Sequence, residues 1–365
     1  MADTHPVTVA VLDEGAVRLH RLDLPRAVAG EIDVDITLAA ICGSDIHTVL
    51  GHRPAAPMTA LGHEAVGRVA AAPPDARDLR GDPVRVGDRV ALSMITSCGT
   101  CDRCVAGLSM KCRALFKYGH ASVDVYPHAS GMLATRVRIV PGTPILRIPD
   151  ALDDAVMVSA GCAVATAGAI VRAASPRAGD QALVFGAGAV GLYTAAMLSS
   201  AGCEVTVQDP SQSRRDLAAK LGLRTRADAV AGAGIASEPS IVVEASGNPD
   251  AAAASFEAAA VGGHVIGAGS VSPGSSTMTV DPAILVTRRL RYSGVHNYTP
   301  DEFRWSVDWL LAFGSSLPVD RLLSRPYTLA QIGDAIIDLQ RGEVPRVAVR
   351  PSAEPAGLSE SSRHD

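Results

Sequence analysis

Aromatic residues, long apolar runs and blocks of like charge are all scarce in this chain of 365 residues. Phe, Trp and Tyr together make up 4% of it. No stretch approaches about 18 apolar residues without a charge or a turn signal, so we expect no membrane-spanning helix. The net charge is −5, and no run of five or six Lys or Arg occurs. These absences favour small-molecule partners over nucleic acid or a membrane.

Cysteine is also sparse, because seven cysteines in a chain of this length do not form a disulfide framework. Residues 1–5 lack the basic-then-apolar order of a signal peptide. We therefore expect a cytoplasmic protein with reduced thiols. In a reducing compartment, closely spaced cysteines are typical of metal binding.

Four of the seven cysteines lie in one C-x2-C-x2-C-x7-C run. Its members are Cys98, Cys101, Cys104 and Cys112. Four thiolates at this spacing can surround one tetrahedral Zn²⁺ and close the site to further ligands. The pattern predicts a structural zinc lobe over about residues 93–115.

The chain is predicted to form two domains of an α/β protein. With 365 residues and 47% apolar content, it is larger than a chain that folds around a single hydrophobic core usually is. Up to about residue 140 short strands dominate, as in 32–38, where apolar and polar residues alternate. After Pro149 apolar strands alternate with helical patterns. That order is typical of βαβ units and a doubly wound parallel sheet.

The first domain is expected to be discontinuous. A helical pattern at 301–313 would lead the chain back, and residues 346–349 would add a late strand. The tail is rich in Ser, Glu and Pro and is predicted to be disordered. The predicted limits are 1–164 and 299–350 for the first domain, 165–298 for the second domain and 351–365 for the tail.

A glycine motif marks a dinucleotide site in the second domain. Gly186, Gly188 and Gly191, with Val190 among them, form G-x-G-x-x-G between an apolar strand and a helical run. The glycines allow a tight turn, and a pyrophosphate can approach the backbone at the helix N-terminus. The alternative is an ordinary glycine turn.

Asp209 ends the next predicted strand, 23 residues after Gly186. A carboxylate about 20 residues on accepts hydrogen bonds from the adenosine ribose and repels a 2′-phosphate, which favours NAD over NADP. Arg214 follows closely and could soften that preference; alternatively, Asp209 caps a helix. Gly267, at a later strand end, would lie beside the nicotinamide or in a plain turn.

A second metal site is indicated by Cys42, His63 and Cys162. Sulfur and imidazole are donors that zinc prefers, and a catalytic site needs three protein ligands and one open position. Each residue alone has a plain alternative, because a lone cysteine is often a small core residue and a lone histidine is often structural. Together with the four-cysteine run, the three predict a catalytic zinc.

At these residues the chain resembles the zinc-containing medium-chain alcohol dehydrogenase family, from about residue 7 to residue 350. The likeness rests on C-G-S-D-I-H at 42–47, G-H-E at 62–64, the four-cysteine run and the glycine motif, all in the family's order. The resemblance implies a GroES-like catalytic domain that holds both zinc ions and a Rossmann coenzyme domain. It also implies a substrate cleft between them and a homo-oligomer, either a dimer or a tetramer.

The resemblance further assigns roles to single residues. It implies Cys42, His63 and Cys162 as ligands of the catalytic zinc. Some branches use Glu as the third ligand, but no Glu occurs between Pro149 and Leu183 here. Glu64 would be a nearby, occasionally coordinating carboxylate.

Other residues would position ligands, move protons or hold the cofactor. The resemblance implies Asp45 as a partner of His63 and Arg346 as a contact of the cofactor phosphates, although a surface arginine is the alternative. We expect Ser44 to accept the alcohol's proton and to pass it through the ribose hydroxyl to His47, which exchanges it with solvent. A turn serine and a surface histidine are the alternatives.

The expected activity is hydride transfer between an alcohol or aldehyde substrate and NAD(H), with two Zn²⁺ per chain. Residues 115–120 are similar to a stretch in a branch of the family associated with phosphonate metabolism. Lys117 and His120 could meet an anionic headgroup, although an exposed connection between lobe and barrel is the alternative. The substrate is therefore hypothesised to be a phosphonate-bearing alcohol or aldehyde.

Two other functions stay open from the sequence. One is a zinc-free quinone or enone reductase of the same superfamily, which would lack the four thiolates and the Cys42/His63 pair. The other is a non-catalytic sensor that binds zinc and a nucleotide, for which the pair of Ser44 and His47 would have no use.

Overall fold

The structure is a computed structural model, and it describes residues 4–227, 238–271, 274 and 276–351. The predicted disordered tail lies outside the described residues from position 352 onward. The domain limits given above stay predictions.

The first half of the chain is built mostly of strands. They are β1 (Thr4–Asp13), β2 (Ala16–Pro25), β3 (Ile32–Ile41), β4 (Thr59–Ala60), β5 (Glu64–Ala71), β6 (Arg89–Leu92), β7 (Ile95–Thr96), β8 (Phe116–Lys117), β9 (Arg136–Ile139) and β10 (Ile145–Arg147). The helical segments between them are α1 (Gly43–Val49), α2 (Asp102–Val105) and a 3₁₀ turn at Ser109–Lys111.

In the second half strands and helices alternate. The elements are α3 (Asp154–Met157), a π-helical turn (Ala160–Val164), α4 (Ala165–Ala174), β11 (Gln181–Phe185), α5 (Ala189–Ser200), β12 (Glu204–Gln208), α6 (Gln212–Lys220), β13 (Arg224–Arg226), β14 (Ile241–Glu244), α7 (Pro249–Ala258), β15 (His264–Gly267), α8 (Pro282–Thr287) and β16 (Arg291–Gly294). After them come α9 (Pro300–Phe313), 3₁₀ turns at Gly314–Ser316 and Leu329–Gln331, α10 (Val319–Leu322), β17 (Tyr327–Thr328), α11 (Ile332–Arg341) and β18 (Val347–Arg350).

The alternating sequence of β3 forms a central strand that is buried on both faces. Its polar residues find charged partners, since Asp33 pairs with Arg138 at 2.9 Å and Asp35 pairs with Arg136 at 2.6 Å. The sheet order is β10-β6-β5-β3-β18-β17, with β9 also paired to β3. The late strand β18 runs antiparallel to β3, so the end of the described chain returns to the first sheet.

The second half forms one parallel sheet in the order β13-β12-β11-β14-β15-β16. The order reverses between β12 and β14 around β11, which is the doubly wound pattern. The predicted fold class, a β-rich domain beside a doubly wound parallel-sheet domain, is confirmed.

A continuous helical stretch from Asp154 to Ala174 joins the two sheets. By length and composition it is the one described helix that could cross a membrane, but 78% of it is buried inside the protein. It belongs to an apolar core that also takes in Leu38 and Val66 from the first sheet and Val184 and Val243 from the parallel sheet. The helical stretch therefore serves as a core element between the two sheets.

Candidate active site

Cys42 ends the central strand β3 and begins helix α1 as its N-cap. Its backbone N donates to Asp45 Oδ2 at 2.9 Å, and its Sγ accepts a hydrogen bond from the backbone N of Ser44 at 3.3 Å. This reciprocal capping holds the thiol at the end of the strand. The polar sequence after the strand is thus a helix start that also directs a sulfur into the interior.

His63 precedes β5 and meets the Cys42 sulfur. Its Nε2 lies 3.0 Å from Cys42 Sγ, and its ring is fully buried. Its Nδ1 lies 3.3 Å from Asp45 Oδ1, within ion-pair range but outside the angle of a regular hydrogen bond. A carboxylate on one ring nitrogen orients the other nitrogen toward a metal. The structure brings Asp45 and His63 together in that arrangement.

Cys162 lies on the π-helical turn, a helix type that is rare and frequent at functional sites. The turn packs tightly on the first sheet, because a Cβ on Gly161 would lie 1.9 Å from the Leu92 carbonyl oxygen. The Tyr298 hydroxyl donates to the Gly161 carbonyl oxygen and accepts from the Met94 backbone N at 3.0 Å. These contacts set the position of the cysteine.

The ligand atoms of Cys42, His63, Glu64 and Cys162 all lie within 4.8 Å of one another. The Glu64 carboxylate is already engaged, because Oε1 accepts from Arg346 Nε at 2.9 Å and Oε2 accepts from Ser159 Oγ at 2.6 Å. Two thiols and one imidazole are therefore the free donors of this cluster, and they are the donor types that zinc prefers.

The surroundings favour the thiolate form of Cys42. Burial raises the pKa of this thiol, but Cys162, His63 and Arg346 together outweigh burial and hold the pKa well below its usual value. A thiolate is the form in which cysteine binds a metal. Cys162 has the opposite shift, because its hydrogen bond to Cys42 and its burial raise its pKa well above the usual value, so Cys42 is the thiolate of the pair.

The four cysteines of the C-x2-C-x2-C-x7-C run form a second cluster. Their ligand atoms also lie within 4.8 Å of one another. The sulfur separations are 3.4 Å between Cys98 and Cys112, 3.6 Å between Cys101 and Cys104, 3.9 Å between Cys101 and Cys112 and 4.0 Å between Cys98 and Cys104. Sulfurs at about 2.3 Å from a tetrahedral zinc would stand about 3.8 Å apart. The four residues fit such an ion.

Backbone N–H groups support the thiolate form in this lobe. Hydrogen bonds from the backbone of Thr100 and Cys101 lower the pKa of Cys98 to about 6. The backbone N of Cys98 in turn donates to Cys112 Sγ at 3.3 Å. Charge-assisted bonds of this kind stabilise thiolates ahead of metal binding.

The glycine motif forms a tight turn between β11 and α5. Gly186 has a φ of +97°, and a Cβ on Gly191 would lie 1.9 Å from the Gly186 carbonyl oxygen. A Cβ on Gly188 would instead meet nothing within 4 Å, and this residue lines the cleft at the N-terminus of α5. The open space beside Gly188 and the helix N-terminus suits a pyrophosphate. Val190 lines the same cleft.

Asp209 lies at the carboxyl end of β12 next to this turn. Its Oδ2 accepts from the backbone N of Ala187 at 2.8 Å, and its Oδ1 accepts from the backbone N of Ser211 at 2.9 Å. Arg214 Nη1 lies 4.0 Å from the same carboxylate. The carboxylate is buried beside the turn, and its contact with a ribose stays a prediction.

Gly267 ends β15 and lies beside β16. A Cβ on this residue would lie 2.7 Å from the Tyr292 hydroxyl, so Gly267 packs against β16. The cleft is lined instead by the next two residues, Ala268 and Gly269. The chain turns after the strand, and the contact of Gly267 with the nicotinamide stays a prediction.

Both the group of metal-ligand side chains and the glycine turn open into one cavity of about 520 Å³. A volume of this order is typical of small-molecule sites. The predicted site residues that line it are Cys42, Ser44, His47, His63, Lys117, His120, Cys162, Gly188, Val190 and Arg346. The cleft between the two sheets therefore joins the predicted metal ligands to the predicted dinucleotide turn.

Ser44 and His47 lie on one face of α1 at the cavity. Ser44 Oγ is 2.8 Å from Cys42 Sγ and 3.1 Å from His63 Nε2, while His47 is exposed. The His47 ring also lies beside His52, with 3.4 Å between their Nδ1 atoms. Ser44 thus contacts the metal-ligand side chains, and His47 is exposed to solvent.

One predicted charge differs in the structure, and one predicted contact stays a prediction. His120 is not a cation at neutral pH, because burial and the neighbouring His63 lower its pKa to about 4. Its Nε2 instead lies 3.1 Å from Arg53 Nη1, so it accepts from that guanidinium. Arg346 is buried against Glu64, and its contact with cofactor phosphates stays a prediction.

Sequence reasoning missed several residues of the cleft. Arg53, His52, Thr166, Val295 and His296 all line it. Thr166 lies near the start of α4 and the other four stand in or beside loops, and none of them belongs to a motif. The only signal was the unusual number of basic residues near the metal ligands.

Two family models match the chain in chain order. The alcohol dehydrogenase GroES-like domain matches residues 28–150, and the zinc-binding dehydrogenase domain matches residues 189–312. Together they cover about two thirds of the sequence.

Named relatives and solved structures agree with this match. The L-threonine 3-dehydrogenase of Streptomyces avermitilis is 29% identical over 80% of this chain and 84% of its own. A zinc-binding dehydrogenase from Sinorhizobium meliloti 1021, solved with NADP, is 26% identical with a TM-score of 0.83, over 95% of this chain and all of its own. An alcohol dehydrogenase from Thermotoga maritima shares the fold, with a TM-score of 0.88 at 24% identity over 95% of this chain and 100% of its own.

A β-rich domain, a parallel nucleotide-binding sheet and a metal-ligand cluster between them define an oxidoreductase of the dehydrogenase type. The chain belongs to the zinc-containing medium-chain alcohol dehydrogenase family.

Proposed function

We propose that this protein is a zinc-dependent dehydrogenase that transfers a hydride between an alcohol or its carbonyl product and NAD(H). One observation carries the proposal. The cluster of Cys42, His63 and Cys162 and the glycine turn at Gly188 open into the same cavity. A site of this design places a substrate oxygen and a dinucleotide within reach of each other.

Two zinc ions per chain are supported by two separate donor sets. Cys42, His63 and Cys162 would hold a catalytic ion and leave one position open, whereas the four cysteines of the lobe would close the other site. When bound at the first set, zinc supplies Lewis acidity that lowers the pKa of an alcohol hydroxyl.

Residues of the chain would move the proton that the alcohol loses. Ser44 Oγ is within 3.1 Å of the metal-ligand atoms, so it can accept a hydrogen bond from a hydroxyl held there. His47 stands one turn further along α1 and is exposed to solvent. Its imidazole can pass a proton to water from that position, which makes His47 the proposed exit for the proton.

A preference for NAD over NADP is supported by Asp209. This buried carboxylate stands beside the glycine turn, and a 2′-phosphate placed there would meet its negative charge. The solved relative from Sinorhizobium meliloti 1021 was bound to NADP. We infer that Asp209 and not the shared fold decides the preference in this chain.

The proposal includes the finer expectations drawn from the sequence. They are a cytoplasmic homo-oligomer, the domain limits 1–164 with 299–350 and 165–298, and a phosphonate-bearing alcohol or aldehyde as substrate. Lys117, which lines the cleft, supports an anionic substrate.

The test is zinc content combined with nicotinamide absorbance. The purified chain should contain two zinc ions and should reduce NAD⁺ with at least one member of an alcohol panel. Cys162→Ser should retain one zinc and lose turnover. One zinc with no turnover in the unaltered protein, or two full equivalents in Cys162→Ser, would contradict the proposal.

A further inference from the structure

Cationic side chains gather at one end of the cleft without acidic partners. Arg53 and Lys117 line the cavity, and both are partly buried. In the part of the chain that the structure describes, neither of them forms a salt bridge. The charges that act on Lys117 are those of Arg53 and Lys111, besides the thiols of Cys162 and Cys42. No carboxylate is among these groups, so cationic side chains outnumber anionic ones at this end of the cleft.

Two imidazoles accept hydrogen bonds from cationic side chains at this end of the cleft. His120 accepts from Arg53 at Nε2 and donates from Nδ1 to the Tyr118 carbonyl oxygen at 2.9 Å. His296 accepts from Lys111 Nζ at Nδ1, 2.6 Å away. Its proton therefore lies on Nε2 as a further donor at the cleft. His120 contacts only Nη1 of Arg53, so the other nitrogens of this guanidinium do not bond to His120.

The arrangement is unfavourable without an anion. Burial and then the nearby Arg53 lower the pKa of Lys117, and burial, Lys111, Lys117 and Arg53 lower that of His296 to about 4. Cations that are buried side by side cost free energy unless an opposite charge joins them. Such clusters in a cleft are candidates for functional sites.

The position of the cluster points to the substrate and not to the dinucleotide. The His120 ring lies beside His63 at an angle of 47°, with 5.3 Å between ring centroids. His120 therefore stands between Arg53 and the metal-ligand cluster. Lys117 belongs to β8, whose partner β7 is in the first half of the chain. The proposed site of the dinucleotide phosphates is elsewhere, at Gly188 and the N-terminus of α5.

We propose that Arg53, Lys117 and His296 form a subsite for the anionic group of the substrate, a carboxylate, phosphonate or phosphate carried a few bonds from the reacting hydroxyl. This inference rests on the proposed function. Arg53 can bind two oxygens of such a group with its planar guanidinium, while Lys117 adds a point charge. His120 is a positioning residue for Arg53.

The test compares three alcohols of similar size with the zinc-loaded protein. They are 1-propanol, 3-hydroxypropanoate and 2-hydroxyethylphosphonate. The unaltered protein should have a kcat/KM at least about tenfold higher for one of the two acids than for 1-propanol. In Arg53→Met and in Lys117→Met this ratio should fall by about 10-fold to 100-fold. Lys220→Met, which removes an exposed charge at the end of α6, should leave the ratio unchanged.

The results separate the substrate from the cofactor. Equal kcat/KM values for neutral and anionic alcohols in the unaltered protein would overturn the proposal. A higher KM for NAD⁺ in the two variants, with the substrate ratio unmoved, would assign the cations to the dinucleotide and would also overturn it. Preference for the carboxylate or for the phosphonate tells which acid the subsite takes.

Calorimetry provides a readout that does not depend on turnover. Methylphosphonate and acetate are titrated into the unaltered protein, Arg53→Met and Lys117→Met. Binding of one anion, weakened at least about tenfold in both variants, supports the subsite even if none of the alcohols is oxidised. A failure to oxidise any of the alcohols, with anion binding intact, would count against the proposed function and not against the subsite. Absence of binding, or equal affinity in all three proteins, would overturn the subsite.

Discussion

Arg346 Nε and Glu64 Oε1 lie 2.9 Å apart, although 282 residues separate them in the sequence. The pair is buried, and it joins the start of the late strand β18 to the strand that follows His63. The Glu64 side chain also lies among the ligand atoms of the metal cluster. A buried ion pair therefore links the segment that precedes β18 to the metal-ligand side chains.

Arg346→Met should destabilise the zinc-loaded protein by about 3 kcal/mol, because it leaves the Glu64 carboxylate buried without its partner. Urea unfolding measures the change. Arg224→Met is the matched control, since the Arg224–Glu204 pair is about half exposed and should cost less than about 1 kcal/mol. Equal losses in the two variants would contradict the importance of the buried pair.

Gly161→Ala should destabilise the protein by about 1–3 kcal/mol and lower its zinc content. The added Cβ would lie 1.9 Å from the Leu92 carbonyl oxygen, so the turn that carries Cys162 must move. Denaturant unfolding and metal analysis check both effects. Normal stability with two zinc ions would show that the turn has more freedom than its packing indicates.

Gly188→Ala should leave stability within about 1 kcal/mol, because the added Cβ meets nothing within 4 Å. The methyl group projects at the place proposed for the pyrophosphate, so the KM for NAD⁺ should rise several-fold. Steady-state kinetics at saturating alcohol measure this. An unchanged KM would remove Gly188 from the dinucleotide site.

Asp209→Gly should shift the cofactor preference toward NADP. The expected change in the ratio of kcat/KM for NAD⁺ and NADP⁺ is at least about tenfold, because one charge-assisted hydrogen bond is lost and one repulsion is relieved. Asp216→Ala, on the exposed side of α6, serves as the control. A ratio that does not move would assign Asp209 to supporting the turn through Ala187 and Ser211 alone.

His47→Ala should lower kcat about 100-fold near neutral pH if the imidazole carries the proton to solvent. Added imidazole buffer should restore part of the rate in this variant and should have no effect on the unaltered protein. His20→Ala, on strand β2, is the control. A pH–rate profile that is the same with and without His47 would contradict the proton exit.

The charged end of the cleft shows what sequence reasoning could not reach. The sequence alone indicates Lys117 and His120 as two cations near the metal ligands, but only Lys117 is one in the structure. The protonation of His120 depends on burial and on the neighbouring His63, which is 57 residues away and is brought to it only by folding. Arg53 and His296 carry no local pattern that could have identified them.

The amino-acid sequence by itself determined the fold class, the four-cysteine lobe and the nucleotide-binding turn. Each of these rests on residues that are close in the chain, so their spacing already restricts the geometry. Only the tertiary structure decided that Cys42, His63 and Cys162 share one cleft with Gly188, and that Arg346 pairs with Glu64 beside them. Those contacts join residues that are 21 to 282 positions apart. Strand pairing in the first sheet and packing between the two sheets, which no local pattern encodes, set their distances.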